Sequence, residues 1–382
     1  MFEQTTEQRA LLGQLREFLT QEVLPGAMER DKTGVFPMDL VGQAAELGLF
    51  GLQVPEQYGG VGLDSATTAL IIEELAAFDG SFALTVASHN SLAVGHLLHG
   101  ASPAQLEEWI PPLAAGEVLG AWALTEPAAG SDAAALQTRA EKDGDHYVLN
   151  GSKLFITQGT VGGTYVVNAR TAARERGVHD GVSTFVFSGD TPGLIRGKPE
   201  DKLGLRSSDT TPLTFENLRV PESQLVGKLH YGFETVLKVL DGGRIGIGAM
   251  GIGLGRAALE TAAKYVSERE QFGRPLVRNQ GISFQLAAAA TDLEAARLLV
   301  LKAAHLRDAG KDYTMAAAMA KLRGSVAGVA ACDMAIQLLG GNGYMTDYVV
   351  ERLWRDARLT RIGEGTDEIQ HLIIAREYLQ SL

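Results

Sequence analysis

The sequence is almost free of cysteine, since Cys332 is the only one among 382 residues. A single thiol excludes an internal disulfide framework and any zinc site that is built from cysteines. Cys332 stands in the apolar helical run 329–333, where we expect a small buried core residue rather than a nucleophile. We therefore do not expect the function of this protein to depend on cysteine chemistry.

Positive charge is also scarce, and the formal net charge is -12. This balance disfavours a nucleic acid as the main partner, because phosphate binding depends on clustered Lys and Arg, although a phosphorylated substrate tail could still bind at a local cluster. The N-terminus lacks the basic start and apolar stretch of a signal peptide, and no run of about eighteen uninterrupted apolar residues occurs. We therefore expect a soluble, cytoplasmic protein without a membrane span.

Several common catalytic signatures are missing: no HExxH pair, GxSxG elbow or GxxxxGK[ST] loop occurs. His96 and His99 share a helix face without an evident carboxylate partner, so we interpret them as core or surface residues. The run 246–251 matches the dinucleotide pattern GxGxxG, but no strand leads into it. We interpret these glycines as small residues that let two helices pack closely.

What is present divides the chain into three regions. Apolar residues make up 45% and charged residues 21%, which leaves ample core for more than one domain. Helical patterns fill residues 1–120, and long buried helices are expected over 66–77 and 84–98. Helices are also expected to begin near Thr6, Pro37 and Ser102. Residues 121–226 are β-rich, and residues 227–382 contain four long helical runs, 233–269, 280–308, 314–339 and 366–379.

The predicted fold is therefore α+β and multidomain. It has an N-terminal all-α domain (1–120), a middle antiparallel β-barrel or sandwich (121–226) and a C-terminal four-helix bundle (227–382). Within the middle region, Asn150-Gly151 between the β-rich runs 146–149 and 152–157 predicts a hairpin with a type I′ turn.

The run 123–132, ALTEPAAGSD, lies where helical character gives way to β character. Its small, hydroxyl-bearing, Gly and Pro residues predict a loop with exposed backbone N–H groups, which suits a polar, planar or anionic ligand. Taken alone, the run fits a domain linker better than a ligand-binding loop.

The same run resembles the ALTEPxAGSD signature of the acyl-CoA dehydrogenase family, and the resemblance covers essentially the whole chain. Five further segments are similar to family motifs in the right order: Phe155-Ile156-Thr157, Asp241-Gly242-Gly243-Arg244, Arg269 to Gly273 with Gln280, Gln337 to Gly341, and Glu364 to Gln370.

The resemblance implies bound FAD, and it implies roles for particular residues. The implied FAD contacts are Trp122, Leu124, Thr125, Gly130, Ser131, Phe155, Ile156, Thr157, Arg269, Phe272, Gln280, Gln337, Leu338, Gly340, Gly341, Thr366 and Glu368. The implied substrate contacts are Ser131, Asp241, Arg244 and Gly365. The segments from Arg269 to Gln280 and from Gln337 to Gly341 would reach the FAD of a neighbouring subunit.

Glu364 is the predicted catalytic base. The family's reaction removes a proton from the carbon α to a thioester and a hydride from the β carbon to flavin N5, leaving a trans-2-enoyl-CoA. Gly363 and Gly365 flank Glu364, so the backbone can approach a ligand closely. From the residues alone, Glu364 could equally be a surface cap of the next helix. Relatives that carry the base near Arg244 have it where this chain has Gly243, which favours the short- and medium-chain type.

Two departures bear on the substrate. Gly363 replaces the family's usual Tyr, and Phe155 its usual Trp, so the acyl pocket is expected to differ in shape and the chain length stays open. The resemblance implies a homo-oligomer, expected to be a tetramer, that passes electrons to electron-transferring flavoprotein. Two alternatives are an acyl-CoA oxidase, which is commonly a longer chain, and a non-catalytic binding protein on the same scaffold, which would carry a basic surface.

Overall fold

The computed structural model describes residues 4–173 and 180–382. Helices come first, followed by a β region and then by long helices, which confirms the predicted fold class. The N-terminal helices are α1 (Thr6–Phe18), α2 (Ala27–Thr33), α3 (Met38–Glu46), α4 (Ser65–Phe78), α5 (Gly80–Ser88), α6 (Gly95–Gly100) and α7 (Pro103–Ala114).

Helix starts agree closely with the predicted signals. Ser102 and Gln105 form a capping box at α7, which confirms the expected start there. The cap of α1 is Thr5, one residue before the predicted Thr6. A π-helical stretch, His89–Val94, joins α5 to α6, so the expected buried helix over 84–98 is confirmed as one helical path with a wide turn in it.

The β region is a single sheet whose strands follow the order β6-β7-β3-β2-β4-β5-β8, with β1 paired parallel to β4. Most neighbours are antiparallel, and a short parallel contact joins β2 to β4. The strands are β1 (Leu119–Ala123), β2 (Arg139–Asp143), β3 (His146–Thr157), β4 (Gly162–Arg170), β5 (Val182–Ser188), β6 (Leu194–Arg196), β7 (Thr210–Pro221) and β8 (Leu225–Val226).

The predicted Asn150-Gly151 hairpin is wrong. Strand β3 runs straight through this dipeptide, and the turn lies earlier, at Gly144 with φ 62°. A register shift occurs between Leu149 and Gly151, and a Cβ on Gly151 would lie 2.7 Å from the Cα of Thr138. The glycine therefore allows a bulge and a close backbone approach, which give the same local sequence signal as a turn.

The C-terminal region contains the four long helices that the sequence predicts, and an additional one. The elements are α8 (Gly232–Glu268), β9 (Glu270–Gln271), β10 (Arg274–Pro275), α9 (Gln280–Asp308), α10 (Thr314–Leu339), α11 (Val350–Thr360) and α12 (Asp367–Gln380). Helix α11 was missed because charged residues dominate it, although Leu353 and Ala357 are fully buried.

Helices α8 and α10 pack side by side in the same direction along a seam of glycines. A Cβ on Gly324 would lie 2.4 Å from the Gly248 carbonyl oxygen, and one on Gly328 would lie 2.1 Å from that of Gly251. This contact confirms the packing role for Gly248 and Gly251 of the GxGxxG run, whereas a Cβ on Gly246 would meet nothing within 4 Å. The stretch Thr314–Tyr344 has the length and composition of a membrane span, but the seam explains why α10 is apolar.

The structure confirms the interpretations of Cys332 as a core residue and of His96 and His99 as core or surface residues. Cys332 is fully buried in α10, and burial raises the pKa of its thiol. His96 is buried with its ring 4.8 Å from that of Trp122, and burial lowers its pKa to about 3, while His99 is exposed. Within residues 4–173 and 180–382, no three His, Cys, Asp or Glu side chains cluster as metal ligands would.

Candidate active site

Glu364 lies on a short turn between α11 and α12. Its φ is 53° and that of Gly365 is 95°, so both residues adopt the left-handed region. A non-glycine residue rarely does so, and such strain persists only where the surroundings impose it. Here the turn is held on its N-terminal side by a hydrogen bond in which the Gly363 N–H donates to Leu359 O at 2.9 Å. On its C-terminal side, α12 begins directly after the turn.

The Glu364 carboxylate points at α8 and occupies the space that a side chain on Gly243 would fill. A Cβ on Gly243 would lie 1.9 Å from Glu364 Oε2. That oxygen is buried and has no hydrogen-bond partner among the described residues. Burial raises the pKa of Glu364 to about 7, and the nearby charges of Arg244 and Lys321 oppose this rise. The carboxylate is thus a base that titrates near neutral pH.

Asp241 and Arg244 lie one turn apart on α8, beside Glu364. They form a buried ion pair with each other, and Asp241 Oδ2 also accepts from Thr314 Oγ1 at 2.8 Å. The Nε of Arg244 is buried without a protein acceptor in the described part of the chain. One donor therefore faces the site uncommitted, which suits a polar substrate group.

Around Glu364, one backbone group is hydrogen-bonded within the protein and another is available to a ligand. The carbonyl of Gly365 accepts from Lys321 Nζ at 2.7 Å and from Gln370 Nε2 at 2.9 Å. The N–H of Glu364 has no acceptor among the residues that the structure describes. Sequence reasoning missed Lys321, although a single Lys within a run of small apolar residues was the available signal.

The loop over 124–131 is fixed from beneath by a buried ion pair that the sequence analysis also missed. Lys153 Nζ donates to Leu124 O at 3.0 Å and to Glu126 Oε1 at 2.8 Å. Burial lowers the pKa of Lys153 to about 8, against the attraction of Glu126. Glu126 also accepts from the N–H groups of Gln137 and Thr138 at 2.6 and 2.9 Å. The loop conformation is therefore set before any ligand binds.

A bulge in β3 turns Phe155 outward beside this loop. The register of β3 shifts between Lys153 and Ile156, Phe155 has φ 58°, and its side chain is 60% exposed. Bulges commonly occur next to active sites, where they redirect a side chain. Within the described residues, the hydroxyls of Thr125, Ser131 and Thr157 have no protein partner. An exposed aromatic face and three free hydroxyls suit a planar, polar cofactor such as a flavin.

Several predicted cofactor residues can contribute only backbone groups, because their side chains lie in the core. Leu124, Ile156 and Leu338 are buried, and Trp122 Nε1 donates to Asn168 Oδ1 at 2.7 Å. The remaining predicted residues on this side are accessible or partly so: Gly130, Ser131, Thr366, which caps α12, and Glu368 in its first turn.

The loop and the base lie at the same end of α8. Leu124 and Ala129 pack against Phe233 and Val236 in the first turns of that helix, and Gly243 follows a few turns later. The structure therefore brings together the predicted residues of the loop, of the β3 bulge, of the start of α8 and of the Glu364 turn. We call this group the base end.

The remaining predicted residues form a separate group that we call the far end: Arg269, Phe272, Gln280, Gln337, Leu338, Gly340 and Gly341. They lie where α8 and α10 finish, and Asn342 Nδ2 donates to Tyr265 Oη at 2.9 Å between the two helices. The stretch of α8 from Gly243 to Glu268 is about 38 Å long at the usual helical rise. Side chains from the two ends of one chain therefore cannot touch the same flavin ring.

Comparison with known proteins covers the whole molecule. Family models described as the N-terminal, middle and C-terminal domains of acyl-CoA dehydrogenase match residues 5–117, 121–218 and 230–379. The short-chain-specific acyl-CoA dehydrogenase of Clostridium acetobutylicum is 43% identical over 98% of each chain.

Two solved structures are similarly close. Butyryl-CoA dehydrogenase from Megasphaera elsdenii is 39% identical with a TM-score of 0.96, over 99% of this chain and 100% of that one. A chain from work on the electron transferring flavoprotein of Acidaminococcus fermentans is 41% identical with a TM-score of 0.97, over 100% of both chains.

Proposed function

The chain belongs to the acyl-CoA dehydrogenase family, and we propose that Glu364 is the base that removes the α proton of its acyl-CoA substrate. The protein is an FAD-dependent acyl-CoA dehydrogenase. The observation that carries the proposal is the buried, unpartnered Oε2 of Glu364 against Gly243. A partly desolvated carboxylate with a pKa near neutrality can be ionised before the reaction and can hold a proton afterwards.

The residues of the base end fit the cofactor. Thr125, Ser131 and Thr157 would bind it through free hydroxyls, Leu124 and Ile156 through backbone groups, and Phe155 through its exposed ring. Gly130, Trp122, Thr366 and Glu368 are proposed contacts at the same end. Bound FAD supplies the hydride acceptor for the β carbon, at flavin N5.

The substrate carbonyl would be held by the backbone of the Glu364 turn. The free N–H of Glu364 can donate to the thioester oxygen, where negative charge develops as the α proton leaves. Arg244 and Asp241 would contact the substrate from α8, and Ser131 and Gly365 would complete its walls. Gly243 has no side chain and cannot supply the base from α8, which supports Glu364 in that role.

We propose that the enzyme works as a homo-oligomer, specifically a tetramer, in which each FAD meets the base end of one subunit and the far end of another. Phe272 is 99% exposed, which suits a side chain that a partner subunit covers. Arg269, Gln280, Gln337, Gly340 and Gly341 would contact the neighbour's cofactor from the same end, and Leu338, whose side chain is buried, would contribute backbone groups.

The proposed electron acceptor is electron-transferring flavoprotein, supported by the similarity to a chain from a study of that protein. A cytoplasmic location and the domain limits 1–120, 121–226 and 227–382 remain proposals of the same kind. Similarity to a butyryl-CoA dehydrogenase supports short saturated acyl-CoA substrates.

The test is anaerobic mixing of the yellow protein with saturated acyl-CoAs of increasing length, followed by flavin absorbance. Bleaching is expected for wild type, and Glu364→Gln should keep its FAD yet bleach slower by several orders of magnitude. Glu377→Gln serves as the matched control, because it also replaces a carboxylate, one that lies on α12. Normal bleaching of Glu364→Gln would reject the base. Oxygen uptake that outpaces reduction of electron-transferring flavoprotein would instead favour an oxidase.

A further inference from the structure

A lysine is buried directly behind the base. The side chain of Lys321 on α10 is fully buried, and its Nζ donates to the carbonyl of Gly365, the residue that follows Glu364. A buried ammonium group is costly unless it is paired and hydrogen-bonded. Its retention next to the Glu364 turn therefore calls for an explanation beyond core packing.

Two donors converge on the Gly365 carbonyl. Lys321 Nζ lies at 2.7 Å and Gln370 Nε2 at 2.9 Å. This oxygen lies in the peptide that follows Gly365, and Glu364 and Gly365 are the two left-handed residues of the turn, with φ 53° and 95°. Holding the oxygen therefore holds the C-terminal side of the turn that sets the direction of the Glu364 side chain. Gln370 is neutral, so Lys321 is the only one of the two that also brings a charge.

The charges around Glu364 come from three helices. Arg244 and Lys321 face it from α8 and α10, and both favour its ionised form. Asp241 balances Arg244 within α8. Asp367 on α12 lies 4.0 Å from Lys321 Nζ, but Arg361 already pairs with it at 2.5 Å. Asp367 and Glu364 both interact with the Lys321 charge, and because Arg361 pairs with Asp367, Lys321 can also stabilise the Glu364 carboxylate.

We propose that Lys321 is a positioning residue for Glu364, which aims the carboxylate through the Gly365 carbonyl and keeps it ionised through its positive charge. The inference rests on the proposed role of Glu364 as base. Burial lowers the pKa of Lys321 to about 8, so the ammonium form prevails at neutral pH and below. Its charge is thus present over the range in which Glu364 titrates.

The experiment compares Lys321→Met with Gln370→Leu by the pH dependence of anaerobic flavin reduction, using butyryl-CoA as the probe. Lys321→Met loses a donor and a charge, so its rate should fall and its acid limb should move up by about half a pH unit or more. Gln370→Leu loses only a donor, so its rate should fall without movement of the acid limb.

Arg323→Gln is the matched control, because it removes an exposed positive charge from the same helix. Its rate and acid limb should equal those of wild type. If Lys321→Met does not fold, Lys321→Gln and Lys321→Arg replace it, and only the neutral variant should move the acid limb. If the acid limb does not move in Lys321→Met or Lys321→Gln, the inference is overturned. Glu364→Gln run in parallel separates this outcome from failure of the base itself, since a normal rate there rejects the proposed function.

Discussion

The two ends of the α8–α10 pair are built differently. At the base end, Glu364 Oε2 is buried against Gly243, and Lys321 is fully enclosed. At the far end, Phe272 is 99% exposed and Tyr344 is 81% exposed. Both groups carry residues that the family resemblance assigns to FAD, yet about 38 Å of helix separates them.

This difference indicates what each end can do alone. The base end is preorganised within one chain, because buried contacts hold Arg244, Lys321 and the Glu364 turn. The far end instead presents side chains such as Phe272 to solvent. We infer that the first is complete on folding and that the second becomes functional only on assembly.

Gly243→Ala should affect the base end most. The new Cβ would lie 1.9 Å from Glu364 Oε2, so the carboxylate has to move. Misplacement of a reacting group by about 1 Å can cost on the order of a hundredfold in rate, and we expect such a loss in flavin reduction with FAD still bound. Gly246→Ala is the matched control on the same helix, since a Cβ there meets nothing within 4 Å. Equal rates for the two variants would contradict the described position of the base.

Gly328→Ala should weaken the seam that connects the two ends. A Cβ there would lie 2.1 Å from the Gly251 carbonyl oxygen. Overpacking of this kind typically costs about 1–3 kcal/mol, which should appear in the free energy of unfolding of the holoenzyme. Gly281→Ala in α9 has open space around it and should be neutral. If the two variants were equally stable, the helices would not pack as closely as described.

Phe272→Ala should affect only the far end. Loss of the aromatic contact that we propose across subunits should weaken FAD retention by about tenfold, while the rate per bound flavin stays that of wild type. Flavin content after gel filtration measures the effect. Leu382→Ala removes a side chain that is 87% exposed and should retain FAD normally. Unchanged FAD retention in Phe272→Ala would leave the far end without a role.

The smallest expected difference between the two ends is in their dependence on pH. As the proposed base, Glu364 would act when ionised, and burial raises its pKa to about 7. The rate of flavin reduction should therefore rise from pH 6 to pH 8 with its midpoint near 7. Stopped-flow reduction with butyryl-CoA measures the profile. FAD retention should not follow the same curve, and a shared midpoint would tie the far end to the same ionisation.

The order of the elements could be predicted because its signals are local, and helical periodicity located α8, α9, α10 and α12. For Glu364, the two flanking glycines left a helix cap equally open, and only the resemblance to the family indicated a base, which stays a prediction. Local signals also misled: Asn150-Gly151 fits a turn, but pairing of β3 with both neighbours overrides it. Helix α11 was missed because its charges hide a narrow apolar stripe.

The supporting contacts could not be predicted because they join distant parts of the chain. Lys321 and Gly365 are 44 residues apart, and Lys153 and Glu126 are 27 apart. Lys321, Lys153 and Glu126 are ordinary charged residues in sequence and become informative only when folding buries them. The separation of the base end from the far end is likewise a property of helix length and direction rather than of any motif.

Subunit complementation tests the central claim most directly. Glu364→Gln and the double variant Arg269→Ala/Phe272→Ala would be co-expressed with different affinity tags, and the mixed oligomer isolated through both tags. A site that takes its base end from the double variant and its far end from Glu364→Gln is wild type throughout. We therefore predict flavin reduction by butyryl-CoA well above that of either parent. A mixed oligomer no more active than its parents would contradict the claim that two subunits complete each site.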